Sequence, residues 1–123
     1  MALTLISFGY LHGPPPEADR VEDVRRRLRD PAAARNGGIL DLDGRDERVQ
    51  QVVLGTPGAA ELVDNLVAYA MLPAGPRSIA IGCAGGKHRA AGLVEILAAR
   101  LREHGQAVDV DHRHAHLPRV LTP

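Results

Sequence analysis

The run from Arg77 to Asp111 constrains this chain more than any other part of it. It opens with an apolar, β-prone stretch (Arg77–Cys83, RSIAIGC) and turns at Gly85-Gly86. Ala90, Leu93, Val94, Leu97 and Leu101 then recur at helical spacing as far as Gly105. Val108 and Val110 alternate within a last short stretch, Ala107–Asp111. Strand, glycine turn, helix and strand make a βαβ unit, which requires a parallel sheet covered by helices. Ala2–Phe8 (ALTLISF), ended by Gly9, predicts a further buried strand that most simply joins the same sheet.

The rest of the chain fits around that unit. His12-Gly13-Pro14-Pro15-Pro16 is a stiff loop, because proline carries no N–H for a regular ladder. Asp19–Arg29 reads two ways. Val21, Val24 and Leu28 have helical spacing, yet a short strand around Arg20–Arg25 followed by an arginine-rich loop fits equally, and Asp30-Pro31 stops either one. Ala32–Gly44, with Asn36-Gly37-Gly38, reads as a mobile loop with an acidic tail. Arg45–Leu54 predicts a short helix stopped by Gly55. Thr56-Pro57 predicts the N-cap and first-turn proline of another, whose apolar face (Leu62, Val63, Leu66, Val67, Ala70) reaches about Met71. The expected architecture is α/β: one small domain over residues 1–123, mainly a parallel β-sheet flanked by helices.

Composition narrows the function classes. Fifteen basic and fifteen acidic side chains cancel, so no global field draws the chain to nucleic acid or to a membrane. Phe8, Tyr10 and Tyr69 are the only aromatic residues, which argues against base stacking on an aromatic platform. Cys83 is the single cysteine, so no intramolecular disulfide can form and a cytoplasmic location is expected. The N-terminus lacks a basic region followed by a long apolar run, and no apolar stretch approaches membrane-spanning length.

The chemistry concentrates in the glycine turn, Gly82-Cys83-Ala84-Gly85-Gly86-Lys87-His88-Arg89. Glycines let the main chain approach a ligand closely. Main-chain N–H groups at a helix start point outward with the positive end of its dipole. Lys87 and Arg89 add cationic donors, and arginine can grip a phosphate with two parallel hydrogen bonds. Together these features predict a phosphate-binding loop. It is not the nucleotide P-loop, since no Ser or Thr follows the Gly-Lys pair to hold magnesium. The alternative is catalytic: Cys83 and Arg89 have the C-x5-R spacing of cysteine phosphatases, although Gly82 stands where those enzymes carry histidine and Ala90 where they carry a hydroxyl.

The turn GCAGGKHRA is similar to the G-C-T-G-G-K-H-R-S of the C-terminal domain of the RNase adapter protein family RapZ. Ser7-Phe8-Gly9-Tyr10 with Gly13-Pro14 resembles that family's S-F-G-F-x-x-G-x-P, and Ala18–Arg25 its A-D-x-V-F-D-V-R. His112-Arg113 resembles its H-R-D or H-R-T. The resemblance implies a fold like a subdomain of phosphofructokinase, with Asp19–Arg25 as a strand. It implies binding of an amino sugar phosphate such as glucosamine-6-phosphate and, as in enterobacterial members, of a regulatory RNA presented to an endoribonuclease. Cys83, Ala84, Gly85, Gly86, Lys87, His88 and Arg89 would hold the phosphate. Asp23, Arg25, Ser7 and His112 would complete the ligand site, with Asp23 suited to an amine or hydroxyls. The family's lysine after S-F-G-F is Leu11 here.

Three other groupings read as solvated. His112, His114 and His116 alternate and would share a face for zinc if strand structure continued, but Pro118 favours a polar tail and no metal is expected. Arg25, Arg26, Arg27 and Arg29 form a basic run balanced by Glu17, Glu22 and Asp30. Near the loop it would suit an RNA backbone. Asp41, Asp43 and Asp46 suggest solvated loop carboxylates. The expected partner is therefore a phosphorylated small molecule, with RNA as a second candidate. No cofactor and no membrane are expected, and a homo-oligomer is compatible with the reading.

Overall fold

The computed structural model describes residues 2–28, 39 and 41–118. Four strands form one sheet: β1 (Leu3–Gly9), β2 (Arg20–Asp23), β3 (Ser78–Cys83) and β4 (Val108–His112). Their order is β2-β3-β1-β4, and every neighbouring pair is parallel. Among the described residues three α-helices accompany the sheet: α1 (Glu47–Leu54), α2 (Ala59–Ala70) and α3 (Arg89–Glu103). The expected parallel α/β architecture is therefore present. The N-terminal strand lies inside the βαβ unit, because β3 and β4 flank β1 rather than each other.

The layering follows from strand order. Parallel crossovers take one hand, so connections that step across the sheet in opposite directions must run over opposite faces. The β1-to-β2 connection steps one way; β2-to-β3 and β3-to-β4 step the other. Accordingly, all three helices share one face. Leu3, Leu5, Ile79, Ile81 and Val108 of the strands pack there with Val49 and Val53 of α1, Val63 and Leu66 of α2, and Leu93 and Leu97 of α3. On the other face Ile6, Phe8 and Ala80 are covered by Tyr10 and Ala18 from the β1–β2 connection. Phe8 is the only aromatic side chain that is fully buried.

Local chemistry sets the element ends. α1 begins at Asp46, whose side chain accepts the Arg48 N–H. Gly55 closes it through an N–H donated to the Gln51 carbonyl. The start predicted for α2 is corrected: Ala59 begins the helix, and Gly58 precedes it in the left-handed region at φ 90°. Thr56 does not cap that helix: Gly58 takes the N-cap place with no side-chain cap bond, and the buried Thr56 hydroxyl donates back to the Val52 carbonyl at 3.0 Å. The ambiguity at Asp19–Arg29 resolves as strand β2, its edges held by Asp19, which accepts from the N–H of Arg77 and of Ser78. Most of the predicted loop Ala32–Gly44 lies outside the described residues, as does Arg29.

Leu97 is completely buried between sheet and helices, whereas Leu72 is more than half exposed. Leu97→Ala should cost about 2–5 kcal/mol of unfolding free energy by the lost burial and the cavity left behind. Leu72→Ala should cost less than about 0.5 kcal/mol. Urea denaturation of the two variants, with slopes close to that of the parent, checks the pair.

Candidate functional site

Because the sheet is parallel, all four strands deliver their carboxyl ends to one edge, and the predicted turn follows β3 there. The turn lies directly on the end of β1. A Cβ added to Gly86, which has φ +75°, would come within 2.6 Å of the Gly9 nitrogen; one added to Gly9 would meet the Gly86 nitrogen at 2.8 Å. Only glycine at both places allows this approach. The Leu11 N–H donates to the Ala84 carbonyl and fastens the same contact.

Within the turn the Gly86 N–H donates to the Cys83 sulfur at 3.1 Å, and Cys83 is only 3% exposed. Gly44, from the acidic tail before α1, donates its N–H to the Lys87 carbonyl at 2.7 Å and sits against the backbone of Ala91 and Gly92 with no room for a Cβ. Among the described residues, no acceptor pairs with the main-chain N–H groups of Gly85, Lys87 and Arg89, nor with the Lys87 ammonium. Arg89 has a structural task as well. Its Nη1 donates to the carbonyls of Val24, Arg25 and Arg27 at 2.9, 3.1 and 3.0 Å, tying α3 to the segment after β2. Its Nε and Nη2 have no acceptor among the described residues.

On one flank, Asp23 at the end of β2 accepts from the main chain and guanidinium of Arg25, down to 2.7 Å. The Arg25 guanidinium lies over the Tyr10 ring, 3.7 Å from its centroid. Arg25 holds the Asp23 carboxyl at about 2, well below its ordinary 3.8. Arg27 pairs with Glu22 and with the Asp23 carbonyl, so Arg25 and Arg27 of the basic run are both paired with carboxylates of β2.

On the other flank, His112 at the end of β4 joins three elements. Its Nδ1 lies 2.6 Å from the Ser7 hydroxyl, and its Nε2 lies 3.1 Å from the Glu95 carboxylate on α3. Glu95 can only accept when ionised, so in the neutral imidazole Nε2 carries the proton and Nδ1 accepts from Ser7. Ser7 is wholly buried. Asp43 pairs with Arg45 at 2.7 Å, which holds its carboxyl below the usual range, with His112 adding to that effect.

The histidine tail departs from the expectation of a solvated stretch. β4 stops at His112, so His112, His114 and His116 do not share a strand face. The Arg113 N–H donates to the Ser7 carbonyl, and His114 Nδ1 accepts from the Gly9 N–H at 2.8 Å. His12 and His114 stack with ring centroids 4.6 Å apart. Burial, then the neighbouring His12, Arg113 and His116, push the His114 imidazole below its usual 6.5. Among the described residues no cluster suits a metal ion. The carboxylates read as solvated are also engaged: Asp43 and Asp46 each pair with the arginine two residues on. The predicted residues Ser7, Asp23, Arg25, Cys83 to Arg89 and His112 thus line one edge, in two flanks about the turn. Glu95 and Gly44 belong to it too, with no local motif to announce them, and so does His114, which the sequence pattern placed only in a polar tail.

The sign for Asp23 is plain. Its folded-state pKa is depressed, so the Arg25 pair contributes above pH 3.8 and is lost as pH falls through about 2. In Arg25→Ala the Asp23 carboxyl should rise towards 3.8 but stay below it, because the main-chain N–H of residue 25 still donates to it. A ¹³C carboxyl NMR titration of both proteins measures this directly.

Comparison with known proteins agrees with these features. The RapZ C-terminal domain model matches residues 1–116. A nucleotide-binding protein of Parafrankia sp. (strain EAN1pec) is 42% identical over 118 residues, covering 89% of this chain and 40% of that protein. Nucleotide-binding proteins of Thermobifida fusca (strain YX) and Mycobacterium avium (strain 104) are 39% and 41% identical, over 89% and 92% of this chain and 39% and 41% of their own. The chain spans about two fifths of the length of these curated relatives. No helix among the described residues is long and apolar enough to cross a membrane. The glycine turn, both of its flanks and the family match over nearly the whole chain lead to one assignment: this chain belongs to the RapZ C-terminal domain family.

Proposed function

We propose that this chain is a regulatory binding module for a phosphorylated small molecule, with the phosphate seated on the Gly82–Arg89 turn. The observation that carries the reading is the group of unpaired donors there. The N–H groups of Gly85, Lys87 and Arg89 and the Lys87 ammonium have no protein acceptor among the described residues, at the positive end of α3. An oxyanion satisfies several of these donors at once, with charge-assisted hydrogen bonds. Beside the turn, Asp23 is held ionised and offers a carboxylate to an amine or hydroxyls, which favours an amino sugar phosphate such as glucosamine-6-phosphate.

Binding is favoured over turnover by the state of Cys83. Its side chain is buried in the core cluster between sheet and helices, whereas a phosphatase nucleophile must face the phosphate. The curated relatives are named nucleotide-binding proteins, but each is more than twice the length matched here. RNA is the second partner we consider, since a backbone phosphate could use the same turn. We read residues 1–123 as one cytoplasmic domain built like a subdomain of phosphofructokinase.

Thermal-shift measurements against sugar phosphates and their unphosphorylated counterparts test the reading. Phosphorylated ligands alone should raise Tm, by preferential binding to the folded state. Lys87→Ala should weaken the best ligand by roughly tenfold without lowering the ligand-free Tm, through loss of one charge-assisted contact. Equal stabilisation of the parent and Lys87→Ala would remove the turn from consideration. Hydrolysis of an aryl phosphate that vanishes in Cys83→Ser would favour the enzyme, and RNA affinity falling steeply with salt would favour the nucleic-acid partner.

A further inference from the structure

His114 occupies a peculiar place. Its Nδ1 accepts the Gly9 N–H at 2.8 Å, so that nitrogen cannot carry a proton and the neutral ring must be protonated at Nε2. Gly9 is the residue whose main chain lies against Gly85 and Gly86 without room for a Cβ. The ring is therefore one contact away from the floor of the turn. It is held from its other side by His12, stacked at 4.6 Å, whose Nε2 is buried with no partner among the described residues.

The titratable and charged groups that face His114 are His12 from the turn after β1, and Arg113 and His116 from the segment after β4. None of them is a carboxylate that could stabilise an imidazolium. A second proton on His114 would set two donors, Nδ1–H and the Gly9 N–H, against each other at hydrogen-bond distance. It would also place a full charge within the stack. The arrangement cannot accommodate that state and has to open.

We propose that His114 is a proton-operated latch: neutral, it holds the Gly9 amide and with it the glycine contact under the turn; protonated, it releases both. As a control on ligand affinity the latch rests on the turn being the anion site, but its mechanical part is independent of any ligand. The sign is fixed by the depressed pKa of the folded state. Folded protein takes up the proton at lower pH than the unfolded chain, so stability falls as pH drops below 6.5 towards the folded value.

The test uses the full chain without ligand, followed by ¹⁵N NMR from about pH 7.5 down to about pH 5. The Gly9 amide should shift upfield and lose about fivefold of its protection against exchange, relative to the intrinsic rate at each pH and on the scale of one lost hydrogen bond, with the midpoint of the His114 imidazole and below 6.5. His114→Asn, whose side-chain oxygen accepts but does not titrate, should keep the Gly9 signal constant over the same range. A Gly9 amide indifferent to His114 protonation, or a His114 Nδ1 already protonated at neutral pH, would overturn the latch. In a second arm, sulfate serves as a dianion that does not titrate in this range. The ratio of parent to His114→Asn Kd should rise about fivefold on acidification. A constant ratio, with sulfate bound, overturns the coupling to the turn. If sulfate binds neither protein, the ligand reading fails while the Gly9 signal still decides the latch.

Discussion

Two glycines meeting main chain to main chain, Gly9 at the end of β1 and Gly86 in the turn after β3, form the contact around which this edge of the molecule is organised. A methyl group at either place would have to push the turn off the strand. The contact works because β1 is central, with β3 and β4 on its two sides, so that its end lies between the two flanks. Around it, hydrogen bonds fasten main chain to main chain: Leu11 to Ala84, Arg113 to the Ser7 carbonyl, and Gly44 to the Lys87 carbonyl. The turn is held by segments from four separate stretches of sequence, although it is itself eight contiguous residues.

Charge is distributed with the same economy. Asp23, Asp43, Asp46 and Asp111 each pair with the arginine two residues further on, a spacing that lets one guanidinium reach back to the preceding carboxylate. Such exposed pairs add little stability individually. They do cancel field locally, which agrees with a chain of zero formal charge. Against that neutral background the donors of the turn, which have no acceptor among the described residues, stand out as the place where the proposed anion would gain most. The part-buried line from Ser7 through His112 to Glu95 joins β1, β4 and α3 and fixes the second flank.

Elements that bury a continuous or periodic apolar face could be read from the chain directly: β1, β3, α3 and β4 all follow their hydrophobic spacing. β2 could not. It has four residues, alternates between half-buried and exposed, and is an edge strand whose conformation comes from pairing with β3. The start of α2 was not legible at Thr56 because the left-handed turn at Gly58 sets the N-cap, while the Thr56 hydroxyl bonds back to the Val52 carbonyl. The turn was legible because its glycines and cations are adjacent in sequence. His114 and Glu95 were not, since their partners lie 105 and 17 residues away and no local spacing encodes such contacts. Tertiary structure also reassigns Arg89. Read from sequence as a phosphate grip, it also clasps three carbonyls after β2.

The chain contains one lysine, Lys87, and its ammonium has no partner among the described residues. Every other internal cation is a guanidinium or an imidazole, neither of which competes well for acylating reagents. Chemistry directed at primary amines therefore addresses one internal position, at the rim of the glycine turn. Acetylation there would erase the turn's only ammonium while leaving all fourteen arginines charged.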